Sequence, residues 1–195
     1  MILIIMAHEN LIEITEQTHP VIIDLAYASD KNFTGKPIYT KSACFLHKDA
    51  EKHLQIAISI AHSMGYRFKI FDAFRPLEAQ WALWHHTPND NYVSHPERGS
   101  IPHCRGVAVD LTLIDSNNHE LDMGTPFDDF ETIAHHGNLS VSQEAITNRC
   151  LLMGIMTTAG WDFFRNEWWH YQLFNVKDNY IALDDHTAQT NLCQH

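Results

Sequence analysis

The spacing of apolar residues changes period along the chain, and each change marks an element. Across "DAEKHLQIAISIAHSMG" (49–65), Leu54, Ala57, Ile58, Ala61 and Met64 recur every three or four positions. That single stripe predicts a helix, with Gly65 where a left-handed C-terminal cap belongs. "SQEAITNRCLLMGIMTTAG" (142–160) reads as a second long helix closed by Gly160. Between them the period falls to two. In "YRFKIFDAFR" (66–75), Tyr66, Phe68, Ile70, Asp72 and Phe74 are expected on one face of a strand. Pro76 suits the first turn of a helix over "PLEAQWALWHH", which leaves Arg75 at the junction. "VIIDLAYA" (21–28) and the β-branched "GVAVDLTLI" (106–114) read as strands. "WDFFRNEWWHYQLF" (161–174) reads as a strand pair turning near Arg165-Asn166.

Strands and helices do not alternate strictly, so the fold class expected is α+β: a mainly antiparallel sheet flanked by helices. With 195 residues and no repeat or long linker, residues 1–195 are read as a single domain. Its core is expected at about 20–175, and the polar stretch after about 176 as a tail, in part disordered.

Composition narrows the function. A formal charge of -11 argues against nucleic acid, whose recognition needs a basic footprint, and permits a small cationic or zwitterionic ligand. The opening "MILIIM" lacks a basic leader and soon meets acidic residues, so neither a signal peptide nor a membrane span is expected and the cytoplasm is the default. Cys44, Cys104, Cys150 and Cys193 form no C-x-x-C and read as reduced thiols. Fifteen histidines raise the case for metal or proton chemistry without proving either.

Two stretches carry candidate chemistry. In "PHCRGVAVDLTL", Asp110 leaves its strand on the face of the small Ala108 and Thr112, and Gly106 permits a bend that folds His103 back towards it. An isolated strand aspartate is often no more than a hydrogen-bonded structural group. In "NEWWHYQ", Glu167 and His170 are three apart. In an ideal strand they face opposite sides, so joint work on one metal needs a turn there, or one residue behind the other. The alternative for this stretch is an aromatic core edge with polar ends. A catalytic zinc wants three nitrogen or oxygen ligands and one open position. His103, Asp110 and His170 supply such a set, and Glu167 is left as the proton carrier.

Taken together, "NFTGKP" (32–37), "FDAFRP" (71–76), "PHCRGVAVDLTL" (102–113), "MGTPFDDF" (123–130) and "NEWWHYQ" (166–172) resemble, in order, the D-alanyl-D-alanine dipeptidases, zinc enzymes of the VanX type. The resemblance spans about residues 20 to 175. It implies zinc ligation by His103, Asp110 and His170, one ion per chain, with Glu167 as catalytic base. It further implies that Arg75 stabilises the transition state and that Asp128 meets the substrate's free ammonium. The fold implied is the α+β fold of zinc D-Ala-D-Ala peptidases and the hedgehog signalling domain. Ile101-Pro102 stand where the resistance enzymes have serines, and Cys104 replaces a serine, which touches substrate recognition rather than the metal site.

Two rival readings remain. One is a zinc D,D-carboxypeptidase or endopeptidase acting on wall peptides, which normally works outside the membrane; the other is a non-catalytic zinc module, which would lack Glu167 or Arg75. His85-His86, His135-His136, Asp72 and Asp129 are read as structural or solvated. Oligomeric state is left open, a homodimer included, as is a role in antibiotic resistance or in D-alanine recovery.

Overall fold

A computed structural model describes residues 8–193; the apolar opening "MILIIM" lies outside them. Strand β1 (Leu11–Ile14) and β2 (Ile22–Ile23) are followed by β3 (Cys44–His47), which runs straight into helix α1 (Lys48–Ser63). Then come β4 (Arg67–Asp72), α2 (Leu77–His86), β5 (Ala108–Ile114), α3 (Gln143–Thr158), β6 (Asp162–Phe163) and β7 (His170–Gln172). Two short helices, α4 (Val176–Asn179) and α5 (Asp185–Ala188), end the described chain.

Strands β2-β4-β5-β7-β6 form one sheet and β1-β3 a second, small one. In the larger sheet only β2–β4 is parallel, so the mainly antiparallel α+β expectation holds. Helix α1 buries Leu54, Ala57, Ile58 and Ala61, as its stripe requires, and ends at Gly65 with φ +83°. Met64, at the cap, stays about half exposed. Helices α1 and α3 pack on each other, on β4 and on β6.

Three expectations change. Of "VIIDLAYA" only Ile22–Ile23 pairs as a strand; Ala26–Ala28 forms a 3₁₀ turn that buries Tyr27. Pro76 is the cap residue before α2 rather than its first turn, with ψ 154°. The third change matters most. Ile70 pairs with Leu111, but Asp72 pairs with Asp110, so β4 spends one extra residue, Phe71, against its partner. Such a bulge reverses the side-chain phase beyond it. Asp72 therefore leaves the face of Phe68 and Ile70 and joins that of Asp110.

The segment after 175 docks rather than trails. Val176, Leu183, Ala188 and Leu192 are buried in the core cluster. The Leu183 N–H donates to Cys104 O at 2.8 Å, and the Leu77 N–H donates to Leu183 O at 3.1 Å. Buried Asp185 accepts the Leu192 and Cys193 N–H groups at 3.0 and 2.9 Å. The polarity that suggested a loose tail belongs to residues that close turns.

Candidate active site

The phase change at Phe71 sets up a polar row across three strands. Asp72 of β4, Asp110 of β5 and His170 of β7 are neighbours in register on one face of the sheet. His103 reaches the same face from a 3₁₀ turn (His103–Arg105) that ends at Gly106, φ +67°. A Cβ on Gly106 would lie 2.8 Å from Leu11 Cδ2, so the bend and the close packing both call for glycine. Glu167 sits on the turn joining β6 to β7 and His170 opens β7: the Glu167 N–H donates to Phe164 O and the Phe164 N–H to His170 O, both at 3.2 Å. That turn is the feature their three-residue spacing needed.

The geometry converges on a point. His103 Nε2 lies 3.2 Å from His170 Nδ1 and 3.3 Å from Asp110 Oδ2, and His170 Nδ1 lies 3.0 Å from Asp110 Oδ1. The remaining ring nitrogens are tied to acceptors. His103 Nδ1–H donates to Ala73 O at 2.7 Å, and His170 Nε2–H to Gln172 Oε1 at 3.1 Å. With the outer nitrogens donating, the neutral rings turn their inward nitrogens, as lone pairs, towards each other and a carboxylate. Three acceptors within 4.8 Å of one another call for a cation. Two imidazoles with one carboxylate, each imidazole fixed by an outer hydrogen bond, fit zinc.

Around this centre the charges are ordered. Burial works against an ionised Asp110, yet His103 and His170 hold its carboxyl well below the usual range. Burial raises Glu167, Asp110 adds to the rise, and His170 opposes it; its Oε2 is 3.8 Å from His170 Nδ1. Arg75 is buried, its Nε and Nη2 donating to Asp72 Oδ2 at 2.9 and 2.8 Å and Nη1 to Gln80 Oε1 at 2.9 Å. Its Nη2 stands 3.9 Å from Asp110 Oδ2. Asp72 is held on its other side by the Tyr39 hydroxyl at 2.7 Å. Tyr27 lies under the Arg75 guanidinium, 4.9 Å from ring centre to Cζ, and its hydroxyl donates to Asp128 Oδ2 at 2.9 Å. Burial first, and Asp110 second, push the Asp128 carboxyl well above its ordinary value.

One cleft is lined by all six sequence candidates, Arg75, His103, Asp110, Asp128, Glu167 and His170. Trp169 also lines it; Trp168 faces away and donates to Thr125 Oγ1 at 2.8 Å, so one tryptophan of the pair walls the site. Ile101 lines it too, in the left-handed region at φ +41°, a costly conformation for a β-branched residue. The Cys104 thiol is buried, pushed up to about 12 chiefly by that burial, and lies outside the converging group. Asp72, read from the sequence as structural or solvated, completes the site as the partner of Arg75, together with Tyr27, Tyr39, Gln80 and Gln172, which the sequence reading did not single out. Gln172 carried a signal, two residues after His170 and so on its face of β7; Tyr27 carried none.

A sequence profile described as D-ala-D-ala dipeptidase matches residues 7–189. The chain belongs to this family. It is 45% identical over 151 residues to the D-alanyl-D-alanine dipeptidase of Escherichia coli K12, covering 77% of this chain and 78% of that one. The enzymes of the same name from Enterococcus faecalis V583 and Enterococcus faecium are each 32% identical, over 82% and 81% of this chain and 89% and 88% of theirs. Among solved structures, a zinc complex of a glutamate-to-alanine variant of the vancomycin-resistance D,D-pentapeptidase VanY matches at TM-score 0.44 and 16% identity, over 77% of this chain and 82% of that one. Among the described residues, no helix is long and apolar enough to cross a membrane.

Proposed function

We propose that the chain hydrolyses the zwitterionic dipeptide D-Ala-D-Ala to two D-alanines, with one zinc ion held by His103, Asp110 and His170. The convergence of two imidazole nitrogens and a carboxylate, beside a carboxylate that is not part of the set, is the observation that carries this reading. When bound, zinc supplies the positive charge that acidifies a water molecule and polarises the scissile carbonyl.

The residues divide the remaining work. Glu167, raised by burial, takes the proton of the attacking water and passes it to the departing amine. The carbonyl carbon gains the hydroxyl, the C–N bond breaks, and its electron pair leaves on nitrogen to receive that proton. Proton transfer of this kind is worth roughly 10² to 10⁴ in rate. Arg75, fixed by Asp72 and Gln80, points its charge at the oxyanion without having to reorganise. Asp128 binds the substrate's ammonium. Desolvation and the Asp110 charge disfavour a lone negative charge there, and an arriving ammonium offsets both, which favours a dipeptide with a free amino terminus. Four unpaired thiols go with a reducing, cytoplasmic setting.

Glu167→Ala tests the assignment. The variant is expected to keep its zinc, read by atomic absorption, and to release D-alanine about 10²- to 10⁴-fold more slowly. Turnover at the parental rate would remove Glu167 from the mechanism.

A further inference from the structure

Two cavities adjoin at the open side of the site. The first holds the converging ligands; the second is lined by Asp129 and Glu131 and, among the described residues, by no lysine or arginine. Tyr92, Phe130 and Glu167 line both. The Tyr92 and Phe130 rings are stacked, with centroids 4.9 Å apart and planes 20° apart. Phe33 braces Phe130 edge-on at 5.0 Å, and His86, at the end of α2, braces Phe33 at 5.6 Å. The partition between the cavities is thus a supported aromatic wall, with Glu167 at its edge.

We propose that the Tyr92–Phe130 stack is the specificity-determining wall that limits the substrate to two residues, and that the second cavity is a blocked subsite for an additional, amino-terminal residue. The proposal rests on the dipeptidase reading. With the dipeptide's ammonium at Asp128, two positions before Phe130, chain growth at the amino end runs into this wall. Beyond it, Asp129 and Glu131 offer the displaced ammonium a negative field in place of Asp128. The wall is not core: Tyr92 is 41% exposed, so its removal opens the partition without emptying the interior.

The test compares zinc-loaded parent with Tyr92→Ala and Phe130→Ala, on D-Ala-D-Ala, D-Ala-D-Ala-D-Ala and the N-acetylated tripeptide. The readout is the ratio of tripeptide to dipeptide kcat/KM. Each alanine variant is expected to raise that ratio at least about tenfold, the scale on which pocket walls discriminate. Tyr92→Phe, which keeps the stack, should hold the parental ratio. Should Phe130→Ala fold poorly by its melting transition, Tyr92→Ala carries the comparison alone. An unchanged ratio in the folded alanine variants overturns the wall, and an equal gain for the N-acetylated tripeptide overturns the acidic subsite. A zinc-loaded parent inert towards D-Ala-D-Ala would instead sink the dipeptidase reading.

Discussion

The two faces of the sheet at β7 carry the same residue types to opposite ends. On the front, His170 meets His103 and Asp110, with Asp72, Asp128 and Glu167 nearby against the single guanidinium of Arg75. On the back, Tyr171 faces His136, with ring centres 6.4 Å apart, and α3 brings Arg149 beside them. There His136 Nε2, Arg149 Nη2 and the Tyr171 hydroxyl are buried without a hydrogen-bond partner among the described residues. Arg149 donates to the carbonyls of Met123, Ile133 and His135, and Asp122 and Asp129 act on its charge from further off. A histidine beside a guanidinium repels a cation, whereas a histidine beside a shared carboxylate invites one. The sign of the neighbouring charge and the direction of the lone pairs, not the number of histidines, separate a metal site from a core.

That contrast can be broken from either side. The largest effect is expected on the front, where Arg75→Lys keeps the charge but loses the planar fork that Asp72 and Gln80 hold. Steady-state kinetics on D-Ala-D-Ala should show kcat/KM down about 10²- to 10³-fold, the loss typical of one oxyanion donor; a near-parental value would take Arg75 out of the transition state. A smaller change comes from behind the His103 turn. Asp185→Ala unbuckles the segment whose Leu183 holds Cys104 O, and takes the acceptor from the buried N–H of Leu192 and the half-buried N–H of Cys193. Urea denaturation should report a loss of about 1–3 kcal/mol, and an unchanged midpoint would mean that the docked tail contributes nothing.

The smallest effect belongs to the back. Burial first, and Arg149 second, push His136 from its ordinary value near 6.5 down to about 4. The unfolded chain then takes up the proton before the folded one does. This group's contribution is therefore present above pH 6.5, is lost as the pH falls towards 4, and changes no further below that. His136→Phe should flatten the stability profile in that window, measured as denaturation midpoints at several pH values. An identical slope in parent and variant would deny the coupling.

Much of the front face was legible because its chemistry is local. The 3.6-residue stripe of α1 fixes its buried side, Gly106 marks the bend that returns His103, and alternation places Asp110 opposite Val109. Asp72 was misplaced for a definite reason. Strict alternation puts it with Phe68 and Ile70, and the bulge at Phe71 is a matter of partner register that one strand's sequence does not record. Tyr27 and Tyr39 were silent because their value lies in reaching Asp128 and Asp72 across long loops. The tail misled because its apolar anchors are single residues, spaced too far apart to show a period.

The most direct test of the central claim is a zinc titration of chelator-stripped protein, following D-alanine release from D-Ala-D-Ala alongside bound metal. The account predicts that release rises from near zero to a plateau at one equivalent per chain, and that His103→Ala neither binds zinc at the same concentration nor regains activity. Full activity in the stripped protein, or a His103→Ala variant that binds zinc as the parent does, would contradict it.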